Sequence, residues 1–189
     1  MEPCIVSPPL GNGVVRSLKA GDCAFISGVI FTARDTAHKR FVELIASGKR
    51  LPVDLSGQIL YYSGPSPAPP GRTIGSAGPT TSGRMDKYTP LLLNETGLKG
   101  MIGKGDRGSE VVDAMVKKTC VYFAAIGGAG ALIATCIKKA RIVCYQDLGA
   151  EAVYELEVER MPVIVAIDCN GNNVYREGPP RYSSYGSSV

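Results

Sequence analysis

The chain contains no apolar run approaching the roughly 18 residues that a membrane-spanning helix requires, so a membrane protein is not expected. Its first residues, Met1-Glu2-Pro3-Cys4, lack a basic stretch followed by an apolar one. A secretory signal is therefore not expected, and a cytoplasmic location is. A basic stripe is missing too. The formal net charge is only +4, and Lys138, Lys139 and Arg141 are set against Glu155, Glu157 and Glu159. No nucleic-acid partner is expected from such interleaved charge.

The six cysteines (Cys4, Cys23, Cys120, Cys136, Cys144, Cys169) include no C-x-x-C pair, and the nearest two are Cys136 and Cys144. Iron–sulfur and zinc sites usually draw on close pairs. The cysteines read instead as small buried hydrophobes in a reducing compartment, with no metal held by this chain alone. Neither G-x-x-x-x-G-K-[ST] nor G-x-G-x-x-G occurs intact, and Gly127-Gly128-Ala129-Gly130 has no lysine to complete a nucleotide loop. Histidine occurs once, at His38.

What is present suffices for one domain: 189 residues, 44% of them apolar. Asp22–Thr32 reads as a buried strand, followed by a polar elbow at Ala33-Arg34-Asp35 and a helix from about Thr36 to Ala46 with Asp35 as its N-cap. Gln58–Ser63 is a second strand, Met85–Asn94 a helix stopped by Gly97, and Lys99–Asp106 a short strand turning at glycines. Ser109 caps a helix over Glu110–Lys118, Cys120–Ala125 is a strand, and Gly127–Gly130 opens a helix to about Ile137. Strands are then predicted at Ala140–Tyr145, Val153–Val158 and Met161–Asp168, with Asn170-Gly171-Asn172 turning the last back as a hairpin to Val174–Arg176. The pattern predicts an α/β domain with a mixed sheet over residues 1–177, then a flexible or partner-docked tail over 178–189.

One region stands apart. Pro65–Gly83 is rich in Pro, Gly, Ser and Thr, too long for a simple turn, and ends in Gly75-Ser76-Ala77-Gly78-Pro79-Thr80-Thr81-Ser82-Gly83-Arg84. Loops of that length in compact domains are functional or disordered. Glycine allows positive φ or close approach of backbone to a ligand, and arginine offers a planar fork for a carboxylate or phosphate.

Three candidates share a setting at the end of a strand: Arg34-Asp35 with His38, Thr80-Thr81 with Arg84, and Lys104 in its glycine turn. In α/β sheets ligands gather outside the carboxyl ends of strands. Converging there, two arginines and a lysine would receive a doubly charged anion such as a dicarboxylate. Each also has a plainer reading: a surface ion pair for Arg34 and Asp35, a structural histidine, a solvated turn lysine. Thr80 has no local base, and a hydroxyl needs one to act. The sequence describes half a site.

Several segments resemble one family in order over about residues 10–177: Thr32-Ala33-Arg34-Asp35-Thr36-Ala37-His38, Gly78-Pro79-Thr80-Thr81-Ser82-Gly83-Arg84-Met85-Asp86, Met101-Ile102-Gly103-Lys104-Gly105, Ile126-Gly127-Gly128-Ala129, and Glu157-Val158-Glu159 leading into Met161-Pro162. The chain resembles the β subunit, or C-terminal domain, of class I iron–sulfur hydro-lyases, the fumarate hydratases and L(+)-tartrate dehydratases. The resemblance implies a swivelling β/β/α domain with mixed sheet and flanking helices. It also implies a partner α subunit carrying a [4Fe–4S] cluster, a hetero-oligomer of (αβ)2 type, and reversible addition of water to fumarate, or loss of water from tartrate. By the same resemblance Thr80 is the proton-abstracting hydroxyl, activated from the partner. Arg34, Arg84 and Lys104 hold the dicarboxylate, and Asp35 and His38 orient Arg34.

Overall fold

The computed structural model describes residues 4–182 of the chain, and side chains through Pro180. Two long strands form its axis. β2 (Cys23–Thr32) and β7 (Val153–Ile167) run antiparallel from Cys23↔Ile164 to Phe31↔Glu155. Along the other edge of β2 lie β1 (Cys4–Val6) and β3 (Ile59–Tyr61), both parallel to it. β4 (Gly100–Gly103) and β5 (Val121–Ala124) extend that parallel series, and β5 then meets β7 antiparallel. Because β2 and β7 also pair, the ring β2-β3-β4-β5-β7 closes into a barrel, with β6 (Ile137–Cys144) antiparallel on β7 outside it. The α/β class and the mixed sheet expected from the sequence are present.

Side-chain alternation along these strands fills two cores. Ile26, Ile59, Tyr61, Ile102, Val121, Phe123, Val163 and Val165 belong to one buried cluster. Their chain neighbours Leu60, Tyr62, Met101, Tyr122 and Ala166 belong to a second, closed by helices α2 (Asp35–Ala46), α3 (Thr89–Thr96) and α4 (Ser109–Lys118) through Phe41, Leu92, Leu93, Val111 and Met115. With both faces covered, the parallel strands read as continuous apolar runs. Burying each large apolar side chain contributes about 1.5–3 kcal/mol. Short helices α1 (Asn12–Ser17) and α5 (Gly130–Thr135) complete the first cluster with Val15 and Ile133; neither α1 nor β1 is foreseen in the sequence pattern.

Several boundaries differ from expectation. The helix expected from Met85 is a 3₁₀ turn (Ser82–Met85), and α3 starts only at Thr89, where Pro90 fits the first helical turn that needs no N–H. Gly97 does end it, at φ 69°. Asp35 lies inside the first turn of α2 rather than capping it, and Gly108 rather than Ser109 precedes α4. α5 stops at Thr135, so that β6 can begin at Ile137. The two strands expected at Val153 and Met161 are one: β7 bends at Arg160, φ 49°, whose amide is satisfied by Ser27 Oγ at 2.9 Å.

The turn at Asn170-Gly171-Asn172 exists, with Gly171 at φ 88°. It does not return to a strand. Asp168 gathers the amides of Asn170 and Asn172 at 2.9 and 3.2 Å. Asn173 then caps α6 (Val174–Tyr182), its Oδ1 accepting from Tyr175 N at 2.9 Å while Glu177 Oε1 accepts from Asn173 N at 2.9 Å. That reciprocal cap is what turns the segment into a helix. The expected tail boundary at 178 falls inside α6, and residues 183–189 lie outside the described part.

The outer face of β6 and β7 carries register-matched charges. Lys139 faces Glu157 at 2.7 Å, and Arg141 grips Glu155 with two bonds of 2.7 Å. Among the described residues no helix is long and apolar enough to cross a membrane.

Candidate active site

Because β2, β3, β4 and β5 are mutually parallel, their carboxyl ends open on one rim of the barrel. Arg34 lies two residues beyond β2, Lys104 directly follows β4, and the Gly127 loop follows β5. The long loop joins the same rim. Thr80 N donates to Tyr62 O, just past β3, at 2.7 Å. Lys104 N donates to Thr80 O at 3.3 Å, Ser82 N donates to Lys104 O at 2.9 Å, and Thr81 bridges Lys104 in parallel. Residues 80–82 therefore run as a strand-like extension beside the exit of β4.

In this loop Gly71 takes a positive φ of 76°, and Gly75 acts by close approach. Gly75, Gly78 and Gly83 are absent from the left-handed positions. A Cβ on Gly75 would collide with Ser66, and one on Gly103 with Ser82 Oγ. Ser82 thus reaches under the rim, where its hydroxyl pairs with Tyr122 OH at 2.8 Å. Tyr61 OH donates to Ala77 O at 2.5 Å, Ser63 Oγ to Gly78 O at 3.0 Å, and Ala77 N to Gly130 O at 3.1 Å. So anchored, the loop is ordered structure.

Arg84 leaves the 3₁₀ turn and donates from Nε to Asp35 Oδ1 at 2.9 Å. Asp35 Oδ2 is 3.9 Å from Arg34 Nη2, and Glu151 Oε1 is 3.6 Å from the same nitrogen. Asp35 therefore pairs most closely with Arg84 while also lying within ion-pair distance of Arg34, the partner expected from the sequence. The second carboxylate beside Arg34 is Glu151, which also accepts Thr36 N at 3.1 Å. Glu151 lies 117 positions after Arg34 and carries no sequence signal. Arg34 Nε is buried without a hydrogen-bond partner. Lys104 is exposed and makes no ion pair among the described residues. The structure thus brings Arg34 together with Arg84, and Thr80 with Lys104, on one rim.

His38 lies beneath this rim, fully buried against the rings of Phe41, Tyr62 and Tyr88. Its Nδ1 is 2.9 Å from Arg34 O, and that carbonyl can only accept, so Nδ1 carries the proton and Nε2 is left unpartnered. Burial holds its pKa down to about 4, so the ring is neutral near pH 7. It steadies the Arg34 backbone rather than its guanidinium. Thr80 is half-buried, and among the described residues no carboxylate or imidazole hydrogen-bonds its hydroxyl.

The residue that sequence reading passed over is Arg107, three positions after Lys104. Its side chain is 0% exposed, donating from Nε to Asp86 Oδ1 at 2.7 Å and from Nη2 to Thr89 Oγ1 at 2.9 Å. The guanidinium lies 5.3 Å from the Tyr62 ring centroid and 5.1 Å from that of Tyr122. Burial opposes its charge, but Tyr62, Asp86 and Tyr122 outweigh that and raise its pKa. In the sequence, Arg107 looks like any polar turn residue.

Among the described residues no group of three or more His, Cys, Asp or Glu could hold a metal ion. The cysteines are scattered and free; Cys120 and Cys169 are buried, Cys4, Cys136 and Cys144 partly so, and Cys23 is exposed, against the expectation that all are buried. The side chains present do not fit an iron–sulfur cluster. Burial pushes the Cys120 thiol up to about 12.

The rim thus gathers Arg34, Arg84 and Lys104 with Thr80, Asp35 and Glu151, and arginine and lysine are side chains suited to carboxylates. The family model described as Fumarase C-terminus matches residues 9–178, and the chain belongs to that family. It is 40% identical over 153 residues to "Fumarate hydratase class I, anaerobic" of Escherichia coli (strain K12), covering 80% of this chain and 28% of that protein. To "Fumarate hydratase 1, mitochondrial" of Leishmania major it is 39% identical over 153 residues, with the same 80% and 28% coverage. It is 39% identical over 168 residues to a Methanocaldococcus jannaschii protein named "Putative L(+)-tartrate dehydratase subunit beta", covering 86% of each. The chain thus spans little more than a quarter of these fumarate hydratases and most of the subunit.

Proposed function

We propose that this chain is the substrate-binding and proton-transferring subunit of a two-subunit class I hydro-lyase that adds water reversibly to fumarate, giving L-malate. The observation that carries this reading is the placement of these residues on one rim, Arg34 and Arg84 joined through Asp35 and Lys104 beside Thr80 through the backbone. Three cations set against Asp35 and Glu151 leave donor capacity for two substrate carboxylates, beginning with the unpartnered Nε of Arg34. Held there, the substrate presents the carbon beside a carboxylate to the Thr80 hydroxyl, which takes its proton in dehydration and returns it in hydration. The same cations stabilise the negative charge that builds on that carboxylate as the carbon–hydrogen bond breaks.

Thr80 needs a base, and none hydrogen-bonds it among the described residues. That base belongs, in this reading, to the partner α subunit of a hetero-oligomer. So does the [4Fe–4S] cluster, which when bound supplies a Lewis acid for the departing hydroxyl. The family match and the fold also favour a swivelling β/β/α domain, whose movement would bring the rim to the partner. A second reading, the β subunit of an L(+)-tartrate dehydratase forming oxaloacetate, is favoured by the equal 86% coverage of this chain and the Methanocaldococcus jannaschii subunit.

Anaerobic reconstitution with the cluster-bearing subunit from the same source, then turnover of fumarate, L-malate and L-tartrate, tests both. Fumarate hydration at least tenfold faster than tartrate dehydration supports the first reading and the reverse supports the second. Turnover of none by the assembled, cluster-loaded enzyme overturns both.

A further inference from the structure

Arg107 touches neither the open face of the rim nor solvent, yet β4, β5 and the residue just past β3 lean on it. Asp86, its Nε partner, follows Arg84 by two residues and also accepts Gly108 N on Oδ2 at 2.7 Å. Thr89, its Nη2 partner, donates to Met85 O at 2.9 Å and so fixes the end of the 3₁₀ turn that carries Arg84. One guanidinium thereby ties that turn to the turn after Lys104.

The two rings around it extend the reach. Tyr62 is the residue whose carbonyl holds Thr80 N, and its ring meets His38, which holds the Arg34 carbonyl. The Tyr122 hydroxyl meets Ser82 Oγ and donates to Gly105 O at 2.9 Å. Arg107 Nη1 lies 3.5 Å from both Tyr62 OH and Met101 Sδ, so no face of the guanidinium is idle. A purely structural ion pair would not need this arrangement, because a buried pair is seldom better than apolar residues of the same volume. A planar, five-donor fork between two aromatic faces fixes directions, which neither lysine nor methionine can reproduce.

We infer that Arg107 is a positioning residue for the reaction: its buried guanidinium sets Thr80, Arg84 and Lys104 relative to one another without touching the substrate. This rests on the reading of the rim as the catalytic site. A displacement of about 1 Å in such a site costs on the order of 10²-fold in rate.

The test uses the reconstituted two-subunit enzyme carrying Arg107→Lys or Arg107→Met, with fumarate and L-tartrate as substrates. Amide hydrogen exchange is measured over peptides 79–86 and 103–108, and over 121–124 and 161–167 as barrel references. Arg107→Lys is expected to lower kcat about 10²-fold and to speed exchange in 79–86 and 103–108 alone, the barrel peptides staying as protected as in wild type. Unchanged kcat in folded Arg107→Lys enzyme overturns the inference. So does exchange that rises equally in rim and barrel, which marks an ordinary core residue. Should Arg107→Met not fold, the lysine variant decides alone. Should wild-type enzyme turn over neither substrate, the proposed function fails by itself, and rim-confined against uniform exchange still judges Arg107.

Discussion

Two groups of charged side chains sit on this barrel, and they are wired in opposite ways. On the β6–β7 face each cation has its own carboxylate opposite in register, Lys139 with Glu157 and Arg141 with Glu155. On the rim, Arg34 and Arg84 share Asp35, Arg34 keeps a buried Nε without partner, and Lys104 has no ion pair among the described residues. The first group is complete and its charges cancel. The second carries more cations than carboxylates, with Arg34 partly buried and Arg84 and Lys104 exposed. Exposed pairs of the first kind are worth little to stability; under the proposed function the second group is completed by a dicarboxylate.

Substitutions can break that contrast. Thr80→Val removes the hydroxyl at the centre of the rim and is expected to lower kcat by roughly 10²–10⁴-fold in the assembled enzyme. Circular dichroism and subunit association should stay as in wild type, and substantial residual activity would refute the proton-transfer role. Arg84→Ala should cost about 2–4 kcal/mol in kcat/KM of the assembled enzyme, where substrate and partner would cover a side chain that is half exposed in this chain alone. Steady-state kinetics that match wild type would remove Arg84 from the site.

Acid sharpens the contrast from below. His38 has its pKa held to about 4 in the folded chain, beneath the 6.5 of an unperturbed imidazole. Between those values the unfolded state binds more protons, so stability falls as pH drops from about 6.5 towards 4 and is unaffected by this group above 7. At pH 5 the loss is about 2 kcal/mol relative to pH 7.5, read from urea midpoints, and His38→Gln should remove that component. The smallest effect belongs to the β6–β7 face. Arg141→Ala should leave turnover unchanged and the melting temperature within measurement error, and a lower kcat there would erase the distinction between the two groups.

Much of this was legible in residues. β2, α2 and the strands around Met101 and Tyr122 announce themselves through apolar runs and flanking glycines, because local burial dictates them. Thr80, Arg84, Arg34 and Lys104 stand out because their types and strand-end positions suit one chemistry. Pairings between distant residues leave no such trace. Nothing near Glu151 marks it as a neighbour of Arg34, and nothing in Gly105-Asp106-Arg107 says that this arginine is buried between two tyrosines. Asp35 shows the intermediate case: its proximity to Arg34 in sequence suggested the pairing, while the fold brings Arg84 closer. The hairpin expected after Ile167 failed for a local reason, since Asn173 and Glu177 form a cap that was present in the sequence but weighed less than the Asn-Gly turn signal.

β7 pairs with β2, β5 and β6, yet it is the last strand among the described residues. During synthesis, the parallel strands β2 to β5 are therefore complete while two of their edges still have nothing to pair with. The barrel closes only after about residue 167 has emerged, and contacts of such long sequence separation form slowly. Unpaired parallel edges in the meantime invite association with other chains. A truncation that removes β7 should therefore yield an aggregating chain rather than a smaller folded domain, and expression of this protein will depend on how long those edges wait.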